Sequence, residues 1–593
     1  NRAAMEQVTI QIVNDSGQPD TNVFIKVPGK YADNDPAHVP VTPSILFADI
    51  TNTNPPNPAA VALSSLTPVS QLVSPTSGTT NAIYSFQADY IASGSVYFTF
   101  GQPFTFTNSL QPSAPPDSAG NAYRFDYAEP SINDTNAVNN AMDVTYVDKF
   151  GIPLQLEWFR GTNLLAGSYV YASTRTLVDI FASNQLAAAV FSLTSNNIVP
   201  GWQYDGPASY TNFARILAPQ KISGTSTSVA PYPSITNYLN SLIGNSFALN
   251  GASPQGGYYY VGYQVSVGKV NATNWLFTLT YDPNSVPLFD TNLISNGNLQ
   301  YTNTISFVDS NSRVSQYIYG APVGPNLYQN NGVMVTNDSS PTYEVETWMI
   351  GDVLSAINYG FWGGNYGTNS AEWYSVVEWT SYPFGWAQSA NDFYNPYAAL
   401  IYYNSDPYSF AFSERITPDV LLAPANGDIV RITILPDDRL NSPVVNVPTN
   451  LITASSITLN WNPVPGATGY QVNVLRPQGI APVNITSNSY TLSGLIPGTP
   501  YVMSVQALGV ANGNPVITPA RPVSATTLGT NATINSGTIP ILVTFSAADP
   551  FYQMGTVYLN GIQLFRTNNV NSSPWEKANG QNAGWLASTG LNQ

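Results

Sequence analysis

Six carboxylates gather in one short stretch of this chain, residues 123–158, which reads YRFDYAEPSINDTNAVNNAMDVTYVDKFGIPLQLEW. They are Asp126, Glu129, Asp134, Asp143, Asp148 and Glu157. Charged residues make up 9% of the sequence, against roughly 25% in an ordinary soluble protein, so the cluster stands out. Acidic clusters are most often solvated surface. Two carboxyl groups, one protonated and one ionised, are also what glycoside hydrolysis requires.

Two of the six acids stand in strand-like surroundings. Glu129 follows the aromatic segment YRFDY, and Asp148 lies within VTYVDKFGIPL, where large apolar side chains alternate as in a packed strand. Carboxylates rarely occupy such positions without a partner or a role. We therefore expect these two groups to face a cleft from neighbouring strands.

Composition excludes several other chemistries. The absence of cysteine removes disulfides, thiol nucleophiles and thiolate metal sites. The single histidine, His38, lies in the turn-rich DNDPAHVP, and we interpret it as an ordinary loop residue. The net charge of −16 leaves no basic face for nucleic acid or an anionic membrane. We expect a neutral ligand, with no cofactor and no metal.

The surface chemistry indicates an extracellular protein. Asn, Ser, Thr, Gln and Tyr replace ions as the hydrating groups, and no run of about 18 apolar residues predicts a spanning helix. Asn1 leads directly into the strand-like EQVTIQIV, as it would after removal of a signal peptide. We expect a secreted or cell-surface location.

The elements that must position the acids are mostly strands. Segments such as VTIQIV, NVFIKV and SVYFTFG alternate β-branched or aromatic residues with others, between Gly, Pro and Asn turns. Helical patterns occur at residues 173–193, in SITNYLNSLIG and in ETWMIGDVLSAINYGF. The fold is predicted to be mainly β, a barrel or sandwich with a mixed α/β domain inserted.

A second unit follows PDDRLNSPVVNVP, which reads as a linker around residues 436–448. Trp461, Tyr470 and Tyr501 in the next strands, with LIPGTPY, make residues 444–527 resemble a fibronectin type III domain. The resemblance implies an immunoglobulin-like β-sandwich with Tyr501 at a corner between strands, most often used as a spacer. Residues 528–593 are predicted to form a small C-terminal β module or an attachment tail.

The region from Gln7 to about Pro436 resembles glycoside hydrolase family 64. VTIQIVNDSG with NVFIKVPG is similar to the family's opening strand pair, and ASGSVYFTFGQPFTF to its glycine-led strand. FDYAEPS resembles the segment that bears the catalytic acid, and VTYVDKFGIPL the one that bears the base. ARILAPQKI and YNPYAALIYYNSDPYSFAFSE look like later landmarks. The resemblance implies a thaumatin-like β-barrel with a mixed α/β domain in residues 1–436, and β-1,3-glucanase activity.

Carried over by position, the resemblance makes Glu129 the general acid and Asp148 the general base. Ser131, Asn133 and Thr145 would contact sugar or hold the carboxylates. Thr145 and Asp148 lie on opposite faces of an ideal strand, so a bulge or strand end is needed between them if both line one site.

The sequence also departs from the family pattern. Ser95 stands where the family usually has a basic residue, and Ser413 with Glu414 replaces a more acidic pair. Thaumatin-like relatives are often disulfide-bonded, whereas this chain has no cysteine. These departures concern substrate length and activity more than fold.

Aromatic residues supply a further indication. Tryptophans and tyrosines crowd segments such as NYGFWGGNYGTNSAEWY, among Gly and Asn. Most such rings fill cores, but sugar rings also stack on aromatic faces while their hydroxyls bind amides. We expect Trp362 and Trp373 to line the groove.

The leading hypothesis is a secreted, endo-acting and inverting β-1,3-glucan hydrolase whose partner is β-1,3-glucan or another neutral polysaccharide. The alternative is a non-catalytic extracellular surface or filament protein that reuses the same fold, because a fold alone does not fix function. A thaumatin-like inhibitor or lectin fits less well, since both carboxylates are present. Self-assembly or cell-surface attachment through the C-terminal modules is left open.

Overall fold

A computed structural model describes residues 7–32, 39–51, 59–104, 124–132, 140–192, 213–221, 231–233, 235–252, 259–271, 274–281, 303–307, 333–336, 343–361, 384, 394–410, 413, 421–529, 555–559 and 562–567. The first fourteen strands are β1 (Val8–Asn14), β2 (Val23–Tyr31), β3 (Val41–Thr42), β4 (Phe47–Asp49), β5 (Val61–Ala62), β6 (Ser70–Val73), β7 (Thr80–Ala88), β8 (Ile91–Ala92), β9 (Val96–Phe100), β10 (Arg124–Ser131), β11 (Ala141–Val144), β12 (Lys149–Phe150), β13 (Leu154–Arg160) and β14 (Asn163–Ser168).

The middle of the chain mixes helices with strands. Within the described residues its helices are α1 (Thr174–Ser183), α2 (Thr236–Leu242), α3 (Tyr343–Tyr359) and α4 (Pro396–Tyr402). Its strands are β15 (Val190–Ser192), β16 (Phe213–Leu217), β17 (Ser246–Ala252), β18 (Tyr259–Asn271), β19 (Asn274–Tyr281), β20 (Asn303–Phe307) and β21 (Val333–Thr336). Strands β12, β16 and β15 form one small sheet, and β17 to β21 form another in sequence order.

Two seven-stranded sheets build the first domain. One has the order β14-β13, then β22 (Ile429–Ile434), then β1-β7-β3, with β6 on β7; the other has the order β11-β10-β9-β2-β4, with β5 and β8 on β2. Alternation along β1 places Val8, Ile10 and Ile12 inside, where they share one core with Phe98 and Leu156. Burying each such side chain contributes about 1.5–3 kcal/mol, so a slip of register is strongly disfavoured.

Strand β22 closes the first domain from far along the sequence. It pairs parallel to β1 and antiparallel to β13, between strands formed by the first part of the chain. The mixed region lies between β14 and β22 in sequence, so it is an insertion into the β domain. The predicted mainly β fold with an inserted mixed region is therefore confirmed.

Helix α1 is shorter than the helical pattern over residues 173–193 predicts. Its start matches the pattern, because the Ser173 side chain caps it by accepting from the Thr176 N–H at 3.2 Å. The helix ends at Ser183, where Gln185 adopts a φ of 64° and breaks the repeat. Residues 190–192 then join β16 as strand β15.

The fibronectin-like unit is a two-sheet sandwich. Its strands are β23 (Val445–Asn446), β24 (Ser456–Trp461), β25 (Gly469–Arg476), β26 (Val483–Ile485), β27 (Ser489–Ser493), β28 (Pro500–Ala511), β29 (Asn514–Ile517) and β30 (Arg521–Thr526). Trp461 packs against Tyr470 with ring centroids 5.2 Å apart. The buried Tyr501 hydroxyl accepts from the Ile496 N–H at 2.9 Å, which forms the predicted tyrosine corner.

The segment with linker composition lies on the first domain. The Arg124 guanidinium donates to both carboxylate oxygens of Asp437 at 2.7 and 2.6 Å, and both side chains are buried. Ser442 donates its N–H to the Tyr171 carbonyl at 2.9 Å. These contacts hold the start of the fibronectin-like unit against the first domain.

Beyond the sandwich, the structure describes a hairpin of β31 (Gly555–Leu559) and β32 (Ile562–Thr567), which agrees with the strand-like GTVYLNGIQLF. No helix in the described part of the chain is long and apolar enough to span a membrane.

Candidate active site

Glu129 projects from the face of β10 opposite the main core. Strand alternation gives Phe125, Tyr127 and Glu129 one side of β10, whereas Ala128 lies in the main core. Phe125 and Tyr127 belong to a separate aromatic cluster with Tyr97. The Glu129 side chain is partly exposed at the end of this row. We call this side of β9, β10 and β11 the site face.

The neighbouring strands extend the site face sideways. Tyr97 of β9 lies opposite Tyr127 and stacks on it, with ring centroids 4.6 Å apart. Asp143 of β11 lies directly opposite Glu129 and is buried. Glu129 therefore has an aromatic pair along its own row and a second carboxyl group across from it.

Asp148 lies in a bend between β11 and β12. Strand β11 ends at Val144, and Thr145 bridges to Tyr408, a residue from far along the chain. The Thr145 hydroxyl accepts from the Val147 N–H at 3.4 Å, which turns the backbone out of the sheet. The Asp148 carbonyl then accepts from the Ala218 N–H at 3.0 Å. The strand end required between Thr145 and Asp148 is present.

A lysine stands beside the Asp148 carboxylate. Lys221 Nζ lies 3.5 Å from Asp148 Oδ2, and both side chains are about one-third exposed, at 29% and 33%. An ion pair in this setting contributes little to stability, so its main effect is to orient the carboxylate. Asp148 therefore combines solvent access with a fixed direction.

The two carboxyl groups act on each other electrostatically. Burial and the negative charge of Asp148 together raise the pKa of Glu129 to about 7, against the opposing effect of Lys149. A glutamic acid with this pKa is substantially protonated near neutral pH, as a general acid must be. The structure thus brings the two predicted residues into one electrostatic unit.

Asp126, the nearest acid in sequence to Glu129, is structural. Its fully buried carboxylate accepts from the N–H groups of Gly151 and Ile152 at 2.7 and 3.1 Å and lies 3.7 Å from Lys149 Nζ. Burial raises the pKa of Asp126, and Lys149 and the backbone donors oppose that shift. A Cβ on Gly151 would lie 2.4 Å from the Phe125 carbonyl oxygen, so only glycine allows this approach.

The remaining predicted site residues divide into two groups. Ser131 is two positions beyond Glu129 on the site face and is partly exposed, whereas Thr145 is buried with its hydroxyl engaged in the bend. Asn133, Trp362 and Trp373 lie outside the described residues.

Sequence reasoning did not predict a place in the site for three further residues, Lys149, Lys221 and Asp143. Lys149 follows Asp148 directly in a chain with only 18 basic residues, a signal that could have drawn attention to it.

The positions that depart from the family pattern are structural here. Ser95 is buried and donates its N–H to the Pro28 carbonyl at 2.9 Å, and Ser413 is buried with its N–H on the Phe410 carbonyl at 3.1 Å. Glu414 lies outside the described residues.

Glycoside hydrolases use one protonated and one ionised carboxyl group on either side of the scissile bond, and comparison with known proteins tests whether this β-rich domain belongs with that class. The chain matches the family model described as beta-1,3-glucanase, glycoside hydrolase family 64, over residues 6–249, and the fibronectin type III domain model over residues 442–522. Both resemblances drawn from the sequence are thereby confirmed. The glucanase match supports a glycoside hydrolase that acts on β-1,3-glucan. It spans Glu129 and Asp148 and ends before Trp362.

Solved structures give a more distant likeness. A β-1,3-glucanase domain from Clostridium beijerinckii shares 14% identity, with 72% of this chain and 98% of that chain covered and a TM-score of 0.42. A laminaripentaose-producing β-1,3-glucanase in complex with laminaritetraose shares 14% identity, with coverage of 73% and 99% and a TM-score of 0.43. The fibronectin type III domain of human collagen alpha-1(XX) shares 30% identity over 16% of this chain and 92% of its own, with a TM-score of 0.14. No curated protein matches the chain.

Proposed function

We propose that this protein is an endo-acting hydrolase that cleaves bonds within β-1,3-glucan chains. The reaction is a single displacement, with Glu129 as general acid and Asp148 as general base. The observation that carries the proposal is the placement of Glu129, partly exposed on the site face, where burial and the Asp148 charge raise its pKa to about 7. Asp148 fits the role of general base, because its carboxylate is partly exposed and accessible to a water molecule.

The bond changes follow from these roles. Glu129 donates its proton to the glycosidic oxygen while the bond from that oxygen to the anomeric carbon breaks. A water molecule attacks the anomeric carbon from the opposite face and loses a proton to Asp148. The step leaves Glu129 ionised and Asp148 protonated, and exchange with solvent restores both. One displacement inverts the anomeric configuration.

Neutral groups around the pair fit an uncharged substrate. Ser131 on the site face can bind a sugar hydroxyl beside Glu129. We assign the same kind of role to Asn133 and keep Thr145 as the residue that shapes the bend. Trp362 and Trp373 are proposed as stacking platforms for glucose rings, since such rings present apolar C–H faces.

We also propose that the protein works outside the cell. The support is compositional: 9% charged residues and abundant hydroxyl and amide side chains. A large insoluble glucan is met there rather than in the cytoplasm. The fibronectin-like and C-terminal units would then serve attachment to a surface.

Release of reducing ends from laminarin tests the assignment. Glu129→Gln and Asp148→Asn should each lower the rate by about 10²–10⁴-fold, because each removes proton transfer while keeping side-chain shape. Glu157→Gln is the matched control: it lies in the same acidic stretch but on β13, 4.0 Å from Arg431, and should keep wild-type activity.

Binding measured on the same samples separates the outcomes. Both site variants should still sediment with insoluble glucan and keep their circular dichroism. Equal activity in the wild type and both variants contradicts the residue assignment. A folded wild type that binds glucan without releasing reducing ends would favour the non-catalytic surface protein.

A further inference from the structure

Lys149 occupies an unusual position for a cation. The side chain is only 2% exposed, and Nζ lies 4.4 Å from the ring centroid of Phe125 and 4.6 Å from that of Tyr127. Its ion-pair partner is Asp126, at 3.7 Å. Burying an ammonium group is costly unless it is paired. Here the Asp126 carboxylate and the faces of the two aromatic rings stabilise it.

These contacts join the two elements that carry the proposed acid and base. The main chain of Lys149 begins β12 directly after Asp148 and pairs with Leu217 of β16. Its side chain reaches β10, where Phe125 and Tyr127 lie on the same face as Glu129. One residue therefore ties the bend that bears Asp148 to the strand that bears Glu129.

We propose that Lys149 is a positioning residue for the hydrolysis proposed above, holding the Asp148 bend against β10 and supplying a buried positive charge next to the acid and base. The inference rests on the proposed function. It assigns to Lys149 no contact with substrate. Its role is to fix the separation of the two carboxyl groups and to limit how strongly the site favours protonation of Glu129.

Electrostatics supports the same role. The titratable and charged groups around Glu129 and Lys149 in the described residues include, element by element, Tyr97 on β9, Asp126 and Tyr127 on β10, Asp143 on β11, Asp148 in the bend, Arg215 on β16 and Lys221. Burial and the Asp148 charge raise the pKa of Glu129, and Lys149 lowers it. Burial lowers the pKa of Lys149 itself, while Asp126 and Asp148 oppose that shift.

Lys149→Met tests the inference, because methionine keeps an unbranched apolar stem and removes the charge. Without the cation, Glu129 should hold its proton to higher pH. The alkaline limb of the kcat/KM profile on laminarin, expected near the Glu129 pKa of about 7, should move up by about 0.5–1 pH unit. The value of kcat should fall, because the bend is held less firmly.

A second variant keeps the test decisive if Lys149→Met does not fold. Lys149→Met alone leaves the Asp126 carboxylate buried without its ion-pair partner, which is a strongly destabilising change. The double variant Asp126→Asn with Lys149→Met removes both charges, and the alkaline limb should still move up, by less than in Lys149→Met because loss of the Asp126 charge acts in the opposite direction.

Lys26→Met is the matched control. Lys26 is also fully buried; it lies on β2, which pairs with β9, and donates from Nζ to the Ile45 carbonyl at 2.6 Å. Its loss should lower stability without moving the alkaline limb. A structural role for Lys149 alone would make the two single variants alike.

A readout independent of activity separates this inference from the proposed function. In full-length protein labelled with [δ-¹³C]glutamate, the Glu129 signal is identified by its absence in Glu129→Gln and titrated by NMR. An upward shift in the double variant supports the role of Lys149 even if the wild type does not cleave laminarin. An unchanged Glu129 titration and an unchanged alkaline limb in the double variant overturn it.

Discussion

Glu129 takes its character from neighbours of three different kinds. Tyr127 lies along its row and Tyr97 stacks on Tyr127 from β9, and burial beside these rings disfavours ionisation of Glu129. Asp148 adds a negative charge that disfavours ionisation, and Lys149 adds a positive charge that favours it. Because the first two prevail, the carboxyl group is poised between its two protonation states near neutral pH.

The raised pKa of Glu129 makes the stability of the folded protein depend on pH. The pKa of Glu129 is about 7 in the folded protein against a usual value of 4.5, so the folded state binds more protons than the unfolded state between these values. Stability should therefore fall as pH rises through this window, by about 3 kcal/mol in all from this residue. Glu129→Gln should lack that loss. Denaturant unfolding of both proteins at intervals from pH 4 to pH 8 measures the difference.

Asp148→Asn provides the control for that experiment. It removes the neighbouring charge but leaves the surroundings that partly bury Glu129, so its stability should fall with pH less than in the wild type and more than in Glu129→Gln. Parallel stability curves for all three proteins would show that Glu129 titrates as an ordinary surface acid.

At the scale of elements, alternation in the sequence was sufficient for β10 but not for Asp148, which it placed in a packed strand and which lies in a bend between β11 and β12. It could not supply the bend, because the end of β11 depends on Tyr408, which donates its N–H to the Val144 carbonyl at 3.1 Å from far along the chain. The same limit applies to Lys149. Its position after Asp148 was visible in the sequence, but its partners Phe125 and Asp126 meet it only once β12 has paired with β16.

At the scale of the whole molecule, the fibronectin-like unit is docked on the first domain. Asn514 Nδ2 donates to the Gly78 carbonyl at 2.7 Å, Asn512 Nδ2 to the Ser77 carbonyl at 3.0 Å, and the Ile517 N–H to the Pro75 carbonyl at 2.8 Å. The sequence predicts residues 444–527 to be a spacer domain, and that prediction does not include these hydrogen bonds to the first domain. They form between two turns whose polar groups match only in three dimensions.

Gly78→Ala should release this docking. Gly78 has a φ of 69°, and a Cβ there would lie 2.3 Å from the Ala511 carbonyl oxygen, so the two turns must separate. We expect a larger radius of gyration in solution scattering and new proteolytic cleavage within residues 436–448. Gly161→Ala is the control, because it carries a similar φ of 61° with nothing within 4 Å. Identical scattering for both variants would mean that the docked arrangement does not depend on this contact.

The measurement that tests the central claim most directly is the configuration of the first product. An inverting pair needs its carboxyl groups about 6.5–9.5 Å apart to admit a water molecule, whereas a retaining pair stands at about 5–5.5 Å. If Glu129 and Asp148 act as acid and base in one displacement, proton NMR of freshly cleaved β-1,3-glucan should show α-anomeric reducing ends before mutarotation. First products in the β configuration would contradict the mechanism.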